Sequence, residues 1–444
     1  MTSPPQEKVA AFSTPPAKSS WKAAISGNVL MMGLVSMFTD LSSEMMNPLL
    51  PVFITGLVPL GWAPFYLGIM EGLAETTASL LKIFSGRLSD RLGKRKALAV
   101  VGYGLSTIFR PAMAIATAGW HVVAMKFADR VGKGIRTSPR DALIGDAVGA
   151  DYRGLAFGFH RAMDHLGAVM GPLLAIGFLA FLLGWEGVRT TPMWQDLAEG
   201  VSISPEVMRS LRWLFALAVV PGVLAMSTLI GKVQEYAPTH QAGKPVDESF
   251  FKPRGLPKKF FQYLGVVTLF AMGNSSDLFI VYYGMERFGF GLVELVGLWV
   301  LLHISKLIFS VPGGAVSDRL GRRPVLVVAW LVYSAVYLGM AIVDQEWQFW
   351  ALIILYGVYF GMSEGTEKAL VADFVPSALR GTAFGMYHFA VGLAAFPAHL
   401  MFGIFWKVIG PKAAFGIGSA LAISAAVLLS MLLATARGKQ LQSV

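Results

Sequence analysis

The sequence predicts an all-α membrane protein whose twelve transmembrane helices form two pseudo-symmetric six-helix bundles, and three observations lead to this fold class. The first is composition: 55% of the 444 residues are hydrophobic and 14% are charged, whereas soluble proteins carry about 25% charged residues. The second is that the apolar residues gather in stretches of about 20, the length that crosses a bilayer. The third is an internal repeat at one nearly fixed spacing.

The apolar stretches predict twelve helices. Their expected spans are 28–50, 63–85, 97–117, 119–145, 155–183, 211–231, 260–284, 291–314, 324–343, 347–373, 381–406 and 412–435. Helices 4 and 10 carry several charges and are the least apolar, and the repeat supports both of them. The two bundles are expected over 25–231 and 259–436, with a cytoplasmic linker over 232–258. The polar ends, 1–24 and 437–444, are expected to be cytoplasmic tails, the first of them disordered.

Lysine and arginine predict the orientation. The loop between helices 2 and 3 holds five basic residues within 87–96, whereas the loop over 52–62 holds none. Because basic loops stay on the cytoplasmic side, we expect both termini there, in a multi-pass protein of the inner membrane. The net charge of +10 then reflects topology, and no nucleic-acid partner is expected.

The repeat links the two predicted bundles. The run Gly86-Arg-Leu-Ser-Asp90-Arg91-Leu-Gly93-Lys-Arg95 returns 228 residues later as Gly314-Ala-Val-Ser-Asp318-Arg319-Leu-Gly-Arg-Arg323. The segment Ala142–Asp146 returns 227 residues later as Ala369–Asp373. Parallel repeats of this kind are typical of secondary transporters whose halves are related by an axis along the membrane normal.

The run around Asp90 resembles the signature of the loop between helices 2 and 3 in the major facilitator superfamily. That resemblance implies the twelve-helix fold, transport by alternating access, and a central cavity lined by helices 1, 4, 7 and 10. In the loop, Gly93 permits a tight turn, and Asp90 can pair with arginine or lysine in one access state. The alternative is a simple basic anchor. The expected gating residues here are Gly86, Asp90, Arg91, Gly93, Arg95, Asp318 and Arg319.

Two further motifs carry the resemblance. Gly167-x-x-x-Gly171-Pro172 in helix 5 resembles the core of the superfamily's antiporter signature and is included among the gating residues. Its alternative explanation is close helix packing. The run from Arg130 to Arg136 in helix 4 resembles a signature whose arginine is associated with proton coupling, although Arg136 stands where the signature has its second glycine.

Charges inside the predicted helices mark the candidate binding site. A charge at the bilayer centre costs about 2.5–3.5 kcal/mol on insertion scales, so intramembrane charges usually have a function. Asp40 and Glu44 lie four residues apart on one face of helix 1. The residues expected to bind substrate or protons are Asp40, Glu44, Arg130, Lys133, Arg136, Asp277 and Glu364. A buried ion pair, such as Glu44 with Arg136, is the alternative.

Two functions are compatible with these residues. The intramembrane acids and the helix 5 motif favour proton-coupled efflux of a small amphipathic or anionic solute. The helix 4 cations favour an importer, a symporter or an exchanger, of an organic acid or phosphorylated metabolite. An enzyme is not expected, because the sequence lacks the G-x-S-x-G, P-loop and H-E-x-x-H motifs. We expect a monomer in the lipid bilayer, with protons as the coupling ion and without a cofactor or metal.

Overall fold

The computed structural model describes residues 25, 27–92, 94–147, 153–189, 203–235, 256–375 and 380–441, which are helical over most of their length and contain no strand. Twelve long helical segments, α1 to α12, span Asn28–Thr55, Ala63–Leu92, Arg95–Ala112, Gly119–Asp146, Arg153–Arg189, Pro205–Lys232, Lys258–Phe288, Leu292–Leu320, Arg322–Ile342, Glu346–Phe374, Arg380–Val408 and Pro411–Leu441. The all-α fold class is confirmed.

Nine of these segments are long and apolar enough to cross a membrane, within the part of the chain that the structure describes. The three that fall short are α2, α4 and α10. The charges of α4 and α10 were expected to weaken their hydropathy, and α2 joins them because Glu71, Glu75 and Lys82 lie along it. These three charged helices are shielded by packing, since α2 and α4 lie against each other and α10 lies against α8 and α9.

Helices α1 and α7 are both interrupted within their length. In α1 the helix Asn28–Glu44 is followed by a 3₁₀ turn over Asn47–Leu49 and a short helix over Leu50–Thr55. In α7 the helices Lys258–Gly273 and Asp277–Phe288 are separated by 274–276. Proline at 48 and 51 removes backbone donors from α1. The two breaks correspond under the 227-residue repeat and leave polar backbone near the middle of the bundle.

The helices pack as two groups, α1–α6 and α7–α12, which meet mainly where α2 contacts α11 and where α5 contacts α8. We call the end with the α2–α3 and α8–α9 connections the basic end, and the other the opposite end. At the opposite end, Leu50–Thr55 of α1 packs against Asp277–Phe288 of α7, and the 3₁₀ turn of α1 packs against α8. The two groups are therefore in contact at the opposite end.

Glycines bring α2 and α11 close together. A Cβ atom added to Gly72 would lie 3.0 Å from the carbonyl oxygen of Phe396, and one added to Gly68 would lie 2.5 Å from that of His399. Any side chain at either position would push the two groups apart. This contact is the broadest one between the groups and fixes their spacing on that side.

The repeated signature lies mostly within helices and not in long loops. α2 continues to Leu92 and α8 to Leu320, beyond the predicted ends at 85 and 314. Gly321 ends α8 with φ of 93°, a conformation that side chains rarely adopt. Its repeat equivalent, Gly93, lies outside the described residues.

The other predicted boundaries mostly agree within a few residues. α5 was expected to end at 183, and the structure shows a non-helical Gly184 followed by helix to Arg189. α6 begins at Pro205, six residues earlier than expected, and α12 continues to Leu441. Residues 1–24, most of the expected linker 232–258, and residues 442–444 lie outside the described part of the chain.

Candidate functional site: a charged network between the two groups of helices

Arg110 of α3 joins three helices of the first group. Its Nε donates to Asp129 Oδ1 of α4 at 2.9 Å, and its Nη1 donates to the carbonyl oxygen of Thr39 in α1 at 2.6 Å. Asp129 also lies 3.9 Å from Arg130 Nε. The side chains of Arg110 and Asp129 are 7% and 4% exposed, so the ion pair is buried. This junction holds α1, α3 and α4 together next to the candidate site.

The expected residues Asp40, Arg130 and Lys133 lie in the same region. Lys133 interacts electrostatically with Arg130, Glu75 and Asp40. Among the described side chains, its ammonium makes no direct hydrogen bond or ion pair, and Arg130 Nε is buried without a hydrogen-bond acceptor. The structure therefore leaves cationic groups of α4 free to bind an anion.

Arg136 faces away from Asp40 and Glu44. Its guanidinium donates to Ser106 of α3 and lies 4.4 Å from the ring centroid of Tyr103. The pair of Arg136 with Glu44, considered as an alternative, does not form among the described side chains, because one turn of α4 places Arg136 against α3.

Glu44 lies at the end of the first piece of α1 and is bonded across the interface. Its Oε1 accepts from Asn47 Nδ2 at 2.9 Å, and its Oε2 accepts from Trp299 Nε1 of α8 at 2.9 Å. Glu71 of α2 makes a second bond between the groups, because it accepts from Ser276 Oγ in the break of α7 at 3.2 Å. Both breaks therefore have a carboxylate beside them that receives a donor from the second group.

Asp277 begins the second piece of α7. Lys306 Nζ of α8 donates to its Oδ2 at 2.6 Å, and the Tyr356 hydroxyl of α10 donates to its Oδ1 at 3.0 Å. Lys306 Nζ also lies 3.8 Å from the ring centroid of Phe360. An acidic residue in the first turn of a helix is favoured by the helix dipole. The carboxylate is thus held by one cation and one hydroxyl.

Glu364 of α10 lies nearer the basic end. Its Oε1 is 3.8 Å from Arg161 of α5, and it accepts from Lys368 at 3.4 Å. The side chains of Arg161 and Glu364 are 60% and 56% exposed although both lie well inside their helices. This exposure indicates solvent-accessible space between the groups on the basic side.

The basic end carries the same contact in both repeats. Arg95 donates to the carbonyl oxygen of Ala142 at 3.4 Å and pairs with Asp146, while Arg322 donates to that of Ala369 at 3.1 Å and pairs with Asp373. Arg95 and Arg322 are 227 residues apart. Each thereby ties the start of a third helix to the end of a fourth. The side chains of Asp90, Arg91 and Asp318 and the whole of Gly93 lie outside the described structure, Gly86 lies beside Ser138, and Arg319 is exposed.

Gly167 and Gly171 place α5 directly against α1. A Cβ atom at Gly167 would clash with the carbonyl oxygen of Met37, and one at Gly171 would lie 2.8 Å from the backbone nitrogen of Met45. Gly171 therefore packs on the α1 break, next to Glu44. Close packing is what the structure shows for this motif, whose Pro172 lies inside the continuous helix α5.

We expect Gly171→Ala to destabilise the protein by about 1–3 kcal/mol, because the added methyl group overpacks the contact with α1. Gly177→Ala is the matched control, since no atom lies within 4 Å of a Cβ placed there. Thermal unfolding of the purified variants in detergent tests this. Equal melting temperatures for the two variants would contradict a packing role for Gly171.

Sequence reasoning missed Arg110, Lys126 and Trp299. Lys126 of α4 is 4% exposed, donates to Asn47 Oδ1 at 2.9 Å and lies 3.7 Å from Glu71 Oε1. Both cations stand inside predicted helices, and their charge alone could have singled them out. Trp299 gives no comparable signal, because an indole in a membrane helix is ordinary and its acceptor lies 255 residues away.

Comparison with known proteins places this arrangement in a family. A family model described as "Major Facilitator Superfamily" matches residues 32–398 and again residues 301–443. An uncharacterized MFS-type transporter of Methanocaldococcus jannaschii is 30% identical over 412 residues, which cover 91% of this chain and 94% of the relative.

Two further similarities are narrower. The crystal structure of a POT family transporter in complex with a thioalcohol-conjugated peptide has a TM-score of 0.71 at 13% identity, and the match covers 92% of this chain and 96% of the other. Multidrug resistance protein MdtH of Cronobacter sakazakii is 33% identical over 122 residues, which cover 28% of this chain and 30% of that protein. The first supports the fold, and the second covers only part of the chain.

Proposed function

The chain belongs to the major facilitator superfamily and is a multi-pass secondary transporter of a small molecule, and from this premise we propose that it exports a small amphipathic or anionic solute in exchange for protons. The observation that carries the proposal is the position of Asp40, Glu44 and Asp277 in the two interrupted helices, α1 and α7. These acids lie inside the bundle, where a proton can neutralise a carboxylate that is otherwise costly to bury.

Export is favoured over import by two observations. The Gly167–Gly171 contact places α5 on the α1 break beside Glu44, so that a movement of α5 is transmitted to this acid. In addition, 122 residues are 33% identical to a multidrug resistance protein. The proposed exit for the solute is the opposite end, which is closed in this structure and opens when the two groups rock.

The proposed orientation places the basic end in the cytoplasm, as the positive-inside rule requires. The chain then works as a monomer in the inner membrane, with both termini in the cytoplasm. Arg95 and Arg322, with their partners Asp146 and Asp373, are proposed as paired struts that keep each half rigid while the basic end opens and closes.

Everted membrane vesicles test the proposal with a panel of compounds, before the solute itself is identified. Respiration acidifies their interior, and a pH-sensitive dye reports the gradient. We expect some amphipathic or anionic compounds to dissipate the gradient in vesicles that contain the protein, and to do so far less with Asp40→Asn or Glu44→Gln. If the solute is transported equally well after a protonophore abolishes the gradient, or if both variants behave as the wild type does, proton exchange is excluded.

One observation favours the second candidate, an importer of an organic acid or phosphorylated metabolite. Lys133 has no direct partner among the described side chains, and Arg130 Nε lacks an acceptor, so the site offers cations to an anionic solute.

We expect Lys133→Gln to weaken the binding of an anionic solute by about tenfold, since one charge-assisted hydrogen bond contributes about 1.5–3 kcal/mol. Titration of purified protein with a panel of carboxylates and phosphates, followed by thermal shift, measures this effect. Arg136→Gln is the control, because Arg136 faces α3. A larger loss for Arg136→Gln than for Lys133→Gln would refute this assignment.

A further inference from the structure

We propose that Glu71 of α2 binds the coupling proton when the opposite end is closed, and that Lys126 and Asn47 position it for this role. The inference rests on the proposed proton exchange and assigns a residue to it that the sequence did not single out.

Glu71 belongs to a continuous chain of contacts that crosses from the second group of helices into the first and back. Ser276 Oγ donates to Glu71 Oε2 at 3.2 Å, and Glu71 Oε1 lies 3.7 Å from Lys126 Nζ. Lys126 donates to Asn47 Oδ1 at 2.9 Å, and Asn47 Nδ2 donates to Glu44 Oε1 at 2.9 Å. The chain ends at Trp299, which donates to Glu44 Oε2 at 2.9 Å.

The charges in this chain do not balance. It contains two carboxylates, Glu44 and Glu71, and one ammonium, that of Lys126, and the side chains of Lys126 and Glu71 are only 4% and 15% exposed. A buried charge without a counterion is strongly unfavourable. Uptake of one proton makes the chain neutral.

Hydrogen bonding decides which carboxylate takes the proton. Both oxygens of Glu44 accept hydrogen bonds, from Asn47 and from Trp299, and such bonds favour the ionised form. Glu71 Oε1 is buried and accepts no hydrogen bond among the described residues. The proton therefore binds to Glu71, and Glu44 remains the anion that balances Lys126.

Other charged groups act on the same region without supplying the missing charge in contact with Glu71. They are Arg130 and Asp129 on α4, Arg110 on α3, Glu75 on α2, Asp277 on α7, His303 on α8 and His399 on α11. Arg110 pairs with Asp129, and Asp277 pairs with Lys306. Arg130 lies between Asp129 and the two acids of α2.

The state of the opposite end is linked to this proton. Ser276 and Trp299 belong to the second group of helices, so opening the opposite end separates them from Glu71 and Glu44 and admits water. Hydrated carboxylates stay ionised. Closing the end buries Glu71 and increases its affinity for a proton, so by linkage a lower pH favours the closed end.

Spin labels at the opposite end test this with protons as the only ligand. The chain contains no cysteine, so Leu60→Cys and Trp347→Cys in the full chain are labelled without background. Both side chains are exposed, 58% and 69%, and lie on different groups of helices. Distances between the labels are measured in lipid nanodiscs from pH 5 to pH 9.

We expect the fraction with the short, closed distance to rise as the pH falls. Glu71→Gln mimics the protonated residue, so the closed fraction should be high and independent of pH. Glu75→Gln, one turn further along α2, is the matched control and should keep the wild-type response. A wild type without a pH response, or a normal response in Glu71→Gln, overturns the proposal, as does a response that is lost in Glu44→Gln but kept in Glu71→Gln.

Ser276→Ala covers the case in which Glu71→Gln does not fold. Removing this donor takes a hydrogen bond from ionised Glu71 in the closed state, so the midpoint of the response should move to higher pH. An unchanged midpoint overturns the proposal, since a merely structural serine would not shift it. Because no solute is present, a failure of proton-driven export would leave this result standing, and export with a normal Glu71→Gln response would refute only the assignment of Glu71.

Discussion

Replacing Asp129 with asparagine is expected to destabilise the folded protein by about 3–5 kcal/mol, because it leaves buried arginine without its counterion. Arg110 Nε donates to Asp129 at 2.9 Å, and Arg130 lies 3.9 Å from the same carboxylate. Arg110 also holds the carbonyl oxygen of Thr39, so its displacement would loosen α1 from α3 and α4. SDS-induced unfolding of the purified variant measures the change in free energy.

Asp344→Asn is the control for Asp129→Asn. Asp344 pairs with Arg287 at 2.7 Å, but the two side chains are 68% and 41% exposed. An exposed ion pair contributes about 0–1 kcal/mol. We therefore expect a small change in the control, and comparable losses in the two variants would show that burial does not decide the strength of the Asp129 contact.

Asp277→Asn should reduce gradient-driven transport by about tenfold or more, because an uncompensated buried lysine costs well over 1.4 kcal/mol. Lys306 Nζ is 2.6 Å from Asp277 Oδ2, and Tyr356 donates to the other oxygen at 3.0 Å. The asparagine cannot release and rebind a proton, so the second group of helices would lose its titratable acid at the α7 break. Transport is measured in proteoliposomes with and without a pH gradient.

The double variant Asp277→Asn with Lys306→Gln separates function from stability. It removes both charges together, so the melting temperature should recover towards that of the wild type. Gradient-driven transport should stay low, since neither residue titrates. Recovery of transport in the double variant would show that the pair is only structural.

The parts of the molecule that could be predicted are those encoded by local spacing. Segments of about 20 apolar residues and the 227-residue repeat were sufficient for the fold class, and charge alone located Asp40, Glu44 and Asp277. The extent of α2 could not be predicted in the same way, because residues 86–92 are polar yet compatible with a helix. Hydropathy measures contact with lipid and not the end of backbone hydrogen bonding.

The pairing of the charges was beyond sequence reasoning. Arg136 was expected to face the cavity or to pair with Glu44, yet it packs on Tyr103 of α3. Glu44 instead accepts from Trp299, which is 255 residues away. Spacings of three or four residues predict neighbours on one helix, whereas these partners meet only because α1, α4 and α8 pack side by side in three dimensions.

The central claim, exchange of an outgoing solute for incoming protons, is tested most directly by the sign of the proton movement that accompanies solute movement. Purified protein is reconstituted in proteoliposomes that contain a pH-sensitive dye, and a solute that dissipates the gradient in everted vesicles is added outside while its uptake is measured. The account predicts that uptake of the solute raises the internal pH, because protons leave as the solute enters, and that Asp277→Asn abolishes both. Acidification of the interior during uptake would show symport, and uptake without any proton movement would show that the acids of α1 and α7 do not couple transport to protons.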